Sequence, residues 1–382
     1  MRYKALVLTV VMAAILAASD FVGFEILNKE QVADKFFVGV EMAYSNATFN
    51  DVKELVDKVK DYTNLFVIGS PEISLNESLL NMTCDYVYDA GLNFIILFTD
   101  TTKYSNDSKP YVWITKARQK YGDKFLAVYR FDEPGGSVLD HAKDSLINET
   151  DFIAPDYSLA AELYSYNLYS LISFYLYPSP SVITADYGLY WFDYNAGYSS
   201  VLAEFGNNHS REMNVGLCRG AAEAHGKDWG SIITWTYTKE PYVESPEELY
   251  QDLLLSYHTG AKYTVVFNYP KIGPYGILNQ THLDAMKNFW NYVQNNPQDY
   301  AIDRGEVAYV LPADYGFGFR SAVDHVWPFQ ADTLSTKVWN DTQMLLSKYS
   351  SHLDIVYDGN DFGAIAKRYS KLFFWNETIV VD

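Results

Sequence analysis

The sequence predicts a (β/α)₈ barrel followed by a small, flavodoxin-like α/β domain. Eight short apolar runs with strand-like composition alternate with helical patterns between residues 36 and 296, which is the count of a (β/α)₈ barrel. A polar stretch, Asn295-Asn-Pro-Gln-Asp299, separates this region from three more strand-like runs. An open doubly wound sheet is the alternative, but no Gly-x-Gly-x-x-Gly motif follows a strand, which argues against it.

The predicted barrel strands are apolar and aromatic, and several stop at acidic or turn-forming residues. In chain order they cover residues 36–42, 64–70, 93–100, 125–131, 181–187, 200–205, 230–236 and 261–267. Apolar side chains with helical spacing lie between them, over residues 51–62, 77–90, 111–121, 157–177, 211–225, 245–260 and 281–294. The fifth unit is irregular, because residues 191–198 are too few for a full helix.

The chain divides into three predicted regions: a signal peptide over residues 1–19, the barrel over 20–298 and the small α/β domain over 299–382. In the small domain, strand-like runs over 306–312, 353–357 and 371–375 alternate with helical patterns over 332–349 and 362–369. Residues 313–330 are rich in glycine and aromatics and are too long for a plain turn. We expect that segment to cover the barrel mouth.

The first residues have the pattern of a secretory signal peptide. A basic start, Met1-Arg-Tyr-Lys4, precedes an apolar run from Ala5 to Ala18 and then Ser19-Asp20. The run is too short for a comfortable membrane span, so an uncleaved N-terminal anchor is the alternative. No other apolar stretch of the sequence is long enough to cross a bilayer. We therefore expect a secreted or cell-surface protein with no further membrane insertion.

Asn-x-Ser/Thr sequons are numerous, which favours a glycosylated exterior protein. The asparagines are Asn46, Asn76, Asn81, Asn106, Asn148, Asn208, Asn279, Asn340 and Asn376.

The composition excludes several classes of function. A net charge of −19 argues against nucleic acid or an anionic membrane surface as partner. There is no P-loop, no Gly-x-Ser-x-Gly elbow and no cluster of histidines, so neither a cofactor nor a metal is expected. Aromatic residues make up 16% of the chain. They predict core packing and, as the functional alternative, an aromatic groove of the kind that binds carbohydrate.

The two cysteines test the barrel prediction. Cys84 falls in the helical pattern after the second strand, and Cys218 falls in the pattern after the sixth. In a ring of eight units these helices lie on opposite sides, and a disulfide requires Cα atoms within about 7 Å. We expect two buried, free thiols.

Acidic and aromatic residues gather at the carboxyl ends of the predicted strands, where a barrel keeps its active site. Paired carboxylates beside aromatic side chains suit glycoside hydrolysis, in which one acid protonates the leaving oxygen and the other attacks or activates water. An oligo- or polysaccharide is therefore the expected partner. The expected substrate-binding residues are Glu41, Asp100, Asp186, Tyr187, Trp235, Tyr237, Asn268 and Tyr269.

The fourth strand carries the main catalytic candidate. Residues 125–136 read Phe-Leu-Ala-Val-Tyr-Arg-Phe-Asp-Glu-Pro-Gly-Gly, and strand alternation predicts that Glu133 points into the barrel and Asp132 does not. Glu133 is the predicted general acid, since an aromatic neighbourhood raises a carboxyl pKa. Glu204 is the predicted partner, as nucleophile or base.

Structural roles are the alternatives for these residues. Glu133 can instead bind loop amides or pair with Arg130. Glu204 precedes two arginines, Arg211 and Arg219, that are possible salt-bridge partners. Trp235 and Tyr237 form either a sugar platform or a cap over the core.

The chain resembles the clan A-type (β/α)₈ glycoside hydrolases, and among them the beta-galactosidase-like members with a small appended flavodoxin-like domain. The resemblance rests on Glu133, on the stretch 219–229 before the Ile232-Ile-Thr-Trp235 strand, and on the tail. It implies an acid/base Glu ending strand four and a nucleophilic Glu ending strand seven.

The sequence departs from the family pattern at both positions. Asp132 stands where the family usually has Asn, and Thr234-Trp-Thr236 ends strand seven. Glu240, slightly late, and Glu204, one strand early, are the candidates for the second carboxylate.

Two other functions remain open. The Asp132-Glu133 dipeptide resembles the pair that hexosaminidases with substrate assistance use to orient an acetamido group and protonate the leaving oxygen. A cell-surface glycoprotein that kept a glycosidase barrel and lost catalysis is the non-enzymatic alternative, supported by the sequons and by the missing Glu of strand seven.

Overall fold

The computed structural model describes residues 36–99, 110–141, 146–149, 152–207, 209–359 and 362–380. The predicted signal peptide, the candidate Asp100 and the sequons Asn106 and Asn208 lie outside the described residues.

Eight parallel strands form a closed barrel, as predicted. They are β1 (Phe37–Met42), β2 (Leu65–Ile68), β3 (Asn93–Phe98), β4 (Phe125–Arg130), β7 (Val182–Asp186), β8 (Ser200–Phe205), β9 (Asp228–Ile233) and β10 (Tyr263–Asn268). Each strand pairs with its neighbours in the chain order of the barrel, and β1 closes the ring by pairing with β10. A two-stranded antiparallel ribbon, β5 (Asn148–Glu149) and β6 (Phe152–Ile153), interrupts the fourth connection.

Helices follow the strands around the barrel. They are α1 (Phe49–Val59), α2 (Pro71–Ser74), α3 (Glu77–Asp89), α4 (Pro110–Tyr121), α5 (Pro134–Asp140), α6 (Tyr157–Leu176), α7 (Tyr190–Asn195), α8 (Arg211–His225), α9 (Pro246–His258) and α10 (Gln280–Asn295). A capping box forms between Ser245 and Glu248 at the start of α9. The sequence prediction missed the short helix α5, because its two glycines resemble a loop.

Strand alternation separates two apolar cores. In β8, Leu202 packs inside the barrel while Val201 and Ala203 pack outward against the helices. In β4, Ala127 and Tyr129 occupy the barrel interior. Alternate residues of a strand point into the barrel, and we call these positions the inward phase and the others the outward phase. A side chain near the carboxyl end of a strand therefore enters the barrel mouth only if it lies in the inward phase.

The C-terminal region forms a three-stranded parallel sheet, as predicted. Its strands are β11 (Val307–Leu311), β12 (Leu353–Tyr357) and β13 (Lys371–Phe374), with α11 (Ser335–Tyr349) and α12 (Phe362–Ile365) between them. The strand order β12-β11-β13 is the 2-1-3 order with which a flavodoxin-like sheet begins.

Helix α8 joins the barrel to this small sheet. Residues 213–222 of α8 are all buried, because the helix packs against β8 on one side and β12 on the other. A Cβ on Gly216 would lie 2.6 Å from the carbonyl oxygen of Leu353, and a Cβ on Gly220 would lie 2.7 Å from that of Ile355. The two glycines let the helix approach the strand backbone.

A buried ion pair crosses the same interface. Arg219 Nε of α8 lies 2.8 Å from Asp354 Oδ1 of β12, and its other nitrogens donate to the carbonyl oxygens of Asp303 and Ser351. Every nitrogen contact of this guanidinium therefore reaches the C-terminal region.

Residues 313–330 pack beside the barrel mouth. Trp327 is fully buried, with its ring centroid 5.5 Å from that of Tyr164 and 4.6 Å from that of Phe192. Arg320 forms ion pairs with Asp140 and Asp324. None of the described residues of the segment lines the mouth cavity, and its buried Trp327 packs on α6 and α7, so the predicted cover over the mouth stays a prediction.

The cysteines occupy the predicted helices. Cys84 in α3 and Cys218 in α8 are fully buried free thiols, and burial raises the pKa of each thiol well above its usual range. None of the helices in the described part of the chain combines the length and apolar character that a membrane span requires.

Candidate active site

A cavity of about 430 Å³ opens at the carboxyl ends of the barrel strands. Four carboxylic acids and several aromatic rings line it. The residues that line it are Glu41, Tyr129, Asp132, Glu133, Glu204, Asn207, Ile232, Thr234, Trp235, Tyr237, Thr238, Phe267 and Tyr269. It brings together seven of the predicted site residues: Glu41, Asp132, Glu133, Glu204, Trp235, Tyr237 and Tyr269.

Two wider clefts, of about 740 and 930 Å³, lie at the opposite end of the barrel. Carboxylates in the first are paired with cations: Asp228 with Lys262 at 2.7 Å, and Glu223 with Arg368. Barrel enzymes place their chemistry at the carboxyl ends of the strands. The mouth cavity is therefore the candidate site.

Strand alternation explains why the side chains of Glu41 and Glu204 point into the cavity. Glu41 follows the inward-facing Phe37 by four residues in β1, and Glu204 follows the inward-facing Leu202 by two in β8. Neither arginine that we considered as a partner of Glu204 reaches it. Arg211 instead pairs with Glu244 and Asp252, and Arg219 pairs with Asp354.

The loop after β4 brings Asp132 to the cavity beside Glu133. The strand ends at Arg130, and the left-handed conformation of Phe131 (φ 61°) and Glu133 (φ 49°) breaks the alternation. Phe131 turns outward to pack in the outer core, while the side chain of Asp132 lies open to the cavity. The prediction that Asp132 points away from the barrel interior is wrong for this reason.

The backbone of this loop is hydrogen-bonded along β7. The Thr184 hydroxyl donates to the carbonyl of Phe131 at 2.6 Å, and the N–H of Glu133 donates to the carbonyl of Ala185 at 3.0 Å. Asp186 accepts the N–H groups of Gly135 at 2.5 Å and Gly136 at 2.8 Å. These contacts fix the position of the Asp132-Glu133 dipeptide.

Asp186 and Tyr187, both expected to bind substrate, lie outside the cavity. Asp186 is in the outward phase of β7, and burial raises the pKa of its carboxyl to about 7 against the opposing effect of the bound N–H groups. The ring of Tyr187 occupies the space that a Cβ on Gly136 would need, and its hydroxyl donates to Asp140 at 2.7 Å. Both side chains support the loop.

Glu133 and Glu204 both line the cavity, and a hydrogen bond between their carboxyl groups is among the influences on Glu204. Burial, and then the charges of Glu133, Asp132 and Asp186, raise the pKa of the Glu204 carboxyl well above its usual value. Two carboxyl groups in contact cannot both ionise easily. The pair therefore holds a proton, and the environment of Glu204 favours its protonated form.

The other two acids form a second group. Burial, assisted by the charge of Asp132, raises the pKa of Glu41 to about 8. Burial also raises the pKa of Asp132 to about 6, although a hydrogen bond from the Tyr129 hydroxyl opposes the shift. Arg130, considered as a partner of Glu133, donates to the carbonyl of Phe98 and lies over the ring of Tyr175.

Aromatic residues line the part of the cavity between the strands that carry Glu204 and Glu41. The rings of Trp235 and Tyr269 are nearly parallel, at 14° and 6.0 Å between centroids, and Trp235 Nε1 donates to the carbonyl of Tyr269 at 2.7 Å. The hydrogen bond holds the indole with one face toward the cavity, and Tyr237 is 47% exposed at the rim.

Two remaining candidates lie away from the cavity. Asn268 is in the outward phase of β10, where its amide donates to the Tyr44 hydroxyl and accepts the N–H of Ile277. Glu240 is exposed in the loop after β9 and does not line the cavity. The positions of these side chains give no support to the roles predicted for them.

The sequence interpretation missed six lining residues. Tyr129, Ile232 and Phe267 are inward-phase strand residues, so alternation alone identifies them. Thr234 follows directly after β9. Asn207 and Thr238 belong to loops, and no pattern in the sequence marks them.

The fold and the cavity define a (β/α)₈ barrel with a mouth lined by acids and aromatics. In the described part of the chain, no group of three or more His, Cys, Asp or Glu side chains is arranged to hold a metal ion. No protein-family model and no curated protein sequence matches the chain.

Solved structures that resemble the chain include glycoside hydrolases. An alpha-L-fucosidase isoenzyme from Paenibacillus thiaminolyticus matches with a TM-score of 0.51 and 12% identity, over 88% of this chain and 59% of the fucosidase. A GH5-4 endoglucanase from an uncultured bovine rumen ciliate matches with a TM-score of 0.41 and 12% identity, over 70% of this chain and 98% of its own. The resemblance to glycoside-hydrolase barrels is thus confirmed at the level of the fold.

Proposed function

We propose that the protein is an exported glycoside hydrolase. The observation that carries the proposal is the contact between the Glu133 and Glu204 carboxyl groups at the floor of an aromatic-walled cavity. Two carboxylates of this kind are what glycosidic bond hydrolysis requires. The rings of Trp235 and Tyr269 offer apolar faces on which a sugar can stack.

The electrostatics favour Glu204 as the general acid and Glu133 as the nucleophile, the reverse of the roles predicted from the sequence. Burial and three neighbouring acids favour the protonated form of Glu204, which a proton donor must have. Glu133 is the other acid of the pair and is therefore the candidate nucleophile. Its left-handed backbone is held by the hydrogen bond to Ala185.

The contact between the two acids favours a retaining mechanism. An inverting enzyme holds its carboxyl groups about 6.5–9.5 Å apart to leave room for a water molecule, whereas a retaining enzyme holds them about 5–5.5 Å apart. Groups in hydrogen-bonding contact leave no such room. Glu133 then attacks the anomeric carbon while Glu204 protonates the leaving oxygen, and Glu204 later deprotonates the water that releases the sugar.

Export and glycosylation are part of the proposal. The N-terminal pattern of residues 1–19 supports secretion, and a polar surface of net charge −19 suits an extracellular protein. Five sequon asparagines are exposed: Asn46, Asn76, Asn279, Asn340 and Asn376. A carbohydrate is the proposed partner.

Hydrolysis of a panel of aryl glycosides tests the catalytic proposal. Wild type should cleave at least one member, and Glu133→Gln and Glu204→Gln should each lose 10²-fold or more in kcat with the fold intact by circular dichroism. The exposed Glu162→Gln on α6 is the matched control. Equal cleavage by wild type and both variants would falsify the proposal.

Azide separates the two roles. A small anion can replace a missing nucleophile, so azide should restore turnover to Glu133→Gly and yield a glycosyl azide of inverted configuration. Glycine suits this left-handed position. Rescue of Glu204→Gly with that product, and not of Glu133→Gly, would restore the original role assignment.

A second candidate mechanism uses Asp132. Both side chains of the Asp132-Glu133 pair line the cavity, as substrate-assisted hexosaminidase chemistry requires. That mechanism predicts cleavage of N-acetylated aryl glycosides only, and its loss in Asp132→Asn. Absence of cleavage across the whole panel, with retained sugar binding, would instead favour the non-catalytic surface glycoprotein.

A further inference from the structure

Glu41 is a buried acid in the mouth cavity that the proposed reaction does not use. Its side chain is 3% exposed and lies against the cavity. Burial and the charge of Asp132 are the influences on its carboxyl, and no hydrogen bond reaches it from any described residue. A buried acid of this kind is costly unless a partner satisfies it.

The backbone beside Glu41 makes room for the carboxyl without binding it. A Cβ on Gly69 would lie 2.2 Å from Glu41 Oε1, so any other residue at position 69 would displace the side chain. The N–H of Gly69 donates to the carbonyl of Met42. The carboxyl of Glu41 therefore packs against Gly69 without a hydrogen bond from it, and the cavity is the direction from which a donor can come.

The cavity contains no positive charge to balance its acids. Four acids line it, and none of the described lining residues is Lys, Arg or His. Asp132 lines the same cavity as Glu41, and its charge acts on the Glu41 carboxyl. The whole chain carries a net charge of −19, which attracts cations and repels anions.

We propose that the cavity binds a glycoside whose sugar ring carries a free, positively charged amino group, and that Glu41 and Asp132 receive this group. The inference rests on the proposed glycoside hydrolase function, since Glu133 and Glu204 remain the catalytic pair. An ammonium group offers three donors and a full charge to two acids. The rings of Trp235 and Tyr269 can add a cation–π contribution.

The proposal distinguishes three classes of sugar. A neutral sugar offers hydroxyl donors but leaves the repulsion between the acids in place. An anionic sugar adds a further negative charge to the cavity. An N-acetylated sugar has lost the positive charge, and its acetyl group adds bulk where the two acids lie.

Binding of the amine should be coupled to release of a proton. In the empty cavity the pKa of Glu41 is about 8, so this group is largely protonated at neutral pH. A bound ammonium favours the ionised form. The affinity should therefore rise with pH from about 6 toward 8, until the amine itself loses its proton.

Isothermal titration calorimetry at low salt tests the proposal. The probes are the methyl glycosides of glucosamine, galactosamine and mannosamine, with their neutral parents and N-acetyl counterparts. We expect one amino glycoside to bind at least ten-fold more tightly than its parent and its N-acetyl form. Titrations in two buffers of different ionisation enthalpy should show proton release at pH 7.

Variants assign the effect to the two acids. Glu41→Gln should reduce the preference for the amine at least ten-fold and abolish the proton release, while Glu162→Gln on the outer helix α6 should change neither. Asp132→Asn is a second test of this assignment, because it removes the charge that acts on Glu41 and leaves every residue of β1 unchanged. Thermal unfolding confirms that each variant is folded.

The results also separate this inference from the proposed hydrolysis. Equal binding of the parent or N-acetyl glycoside, unchanged preference in both variants, or no binding of any amino glycoside at millimolar concentration would overturn the inference. Cleavage of neutral aryl glycosides together with such a result leaves the hydrolase proposal standing. Selective amine binding without any cleavage supports the inference and contradicts the hydrolase proposal.

Discussion

Asp186 accepts the backbone N–H of Gly136 at 2.8 Å, and this contact joins the fifth barrel strand to the loop that carries the candidate acids. The same carboxylate accepts the N–H of Gly135 and of Tyr187. It therefore occupies the amino end of α5, where N–H groups have no partner within the helix. The acid was predicted to bind substrate, but its contacts show that it holds the loop.

The first prediction concerns the hydrogen bonds by which Asp186 holds the loop after β4. Asp186→Asn places an amide nitrogen against backbone N–H donors, so at least one donor loses its partner. We expect unfolding to require about 1–3 kcal/mol less free energy, and kcat to fall at least ten-fold because the dipeptide is less well positioned. Urea unfolding and aryl glycoside turnover measure the two effects. The exposed Asp123→Asn should match wild type, and an unchanged kcat in Asp186→Asn would contradict the supporting role.

The second prediction is that the protein is more stable at mildly acidic than at mildly alkaline pH. Burial raises the pKa of Glu41 to about 8 and that of Asp186 to about 7, while both groups have a pKa near 4 in the unfolded chain. The folded state binds these protons more tightly, so their contribution is present below pH 4 and is lost as the pH rises toward 8.

Urea unfolding at pH 5 and pH 8 measures this dependence. We expect the free energy of unfolding to fall by on the order of 5 kcal/mol between the two values, because each unit of raised pKa crossed in this range is worth about 1.4 kcal/mol. Glu41→Gln should flatten the dependence, because glutamine has no proton to lose in this range. Equal stability at both pH values in wild type would show that neither acid retains its proton in the folded state.

The third prediction concerns the interface between the barrel and the small sheet. Arg219→Met leaves Asp354 buried without its cation, which costs about 3–5 kcal/mol. The double variant Arg219→Met/Asp354→Leu should recover part of that loss, since no charge is then left unpaired. Denaturant unfolding compares the variants.

An exposed pair between the same helix and the C-terminal region serves as control. Arg368 pairs with Glu223 near the surface, where both side chains are about half exposed (49% and 52%). Arg368→Met should change the free energy of unfolding by less than about 1 kcal/mol. A similar cost for Arg219→Met would mean that the buried pair contributes no more than the exposed one.

The fourth prediction is that glycans occupy only some of the sequons when the protein passes through a eukaryotic secretory pathway. Asn76 and Asn279 cap helices through their side-chain oxygens, which leaves the amide nitrogen open for a glycan. Asn81 is half-buried and accepts the indole N–H of Trp113 at 2.8 Å. Peptide mapping by mass spectrometry should find Asn76 and Asn279 occupied and Asn81 bare, and full occupancy of Asn81 would contradict the position of Trp113.

Strand periodicity predicted the barrel and part of the site. Because Glu41 and Glu204 lie in the inward phase of regular strands, their arrival at the mouth follows from the residue pattern. The same rule, applied to Asp186 and Asn268, places both side chains outside the barrel. Those two residues were misassigned because strand ends were considered without their phase.

Backbone conformation outside the strands was not predictable in the same way. The left-handed Phe131 ends the alternation and sends Asp132 into the cavity, although phenylalanine rarely adopts that conformation. Three hydrogen-bonding partners from β7 hold this loop, and they are at least 50 residues away in the chain. The proton preference of Glu204 likewise depends on acids from other strands.

Helix α8 has a consequence for how the two parts of the molecule move. Its glycines lie against the backbone of β12, while the opposite side covers β8, the strand that carries Glu204. The barrel and the small sheet therefore share one buried layer. A substitution in the small sheet that displaces this helix should reach a catalytic candidate, and the two parts should lose their structure together.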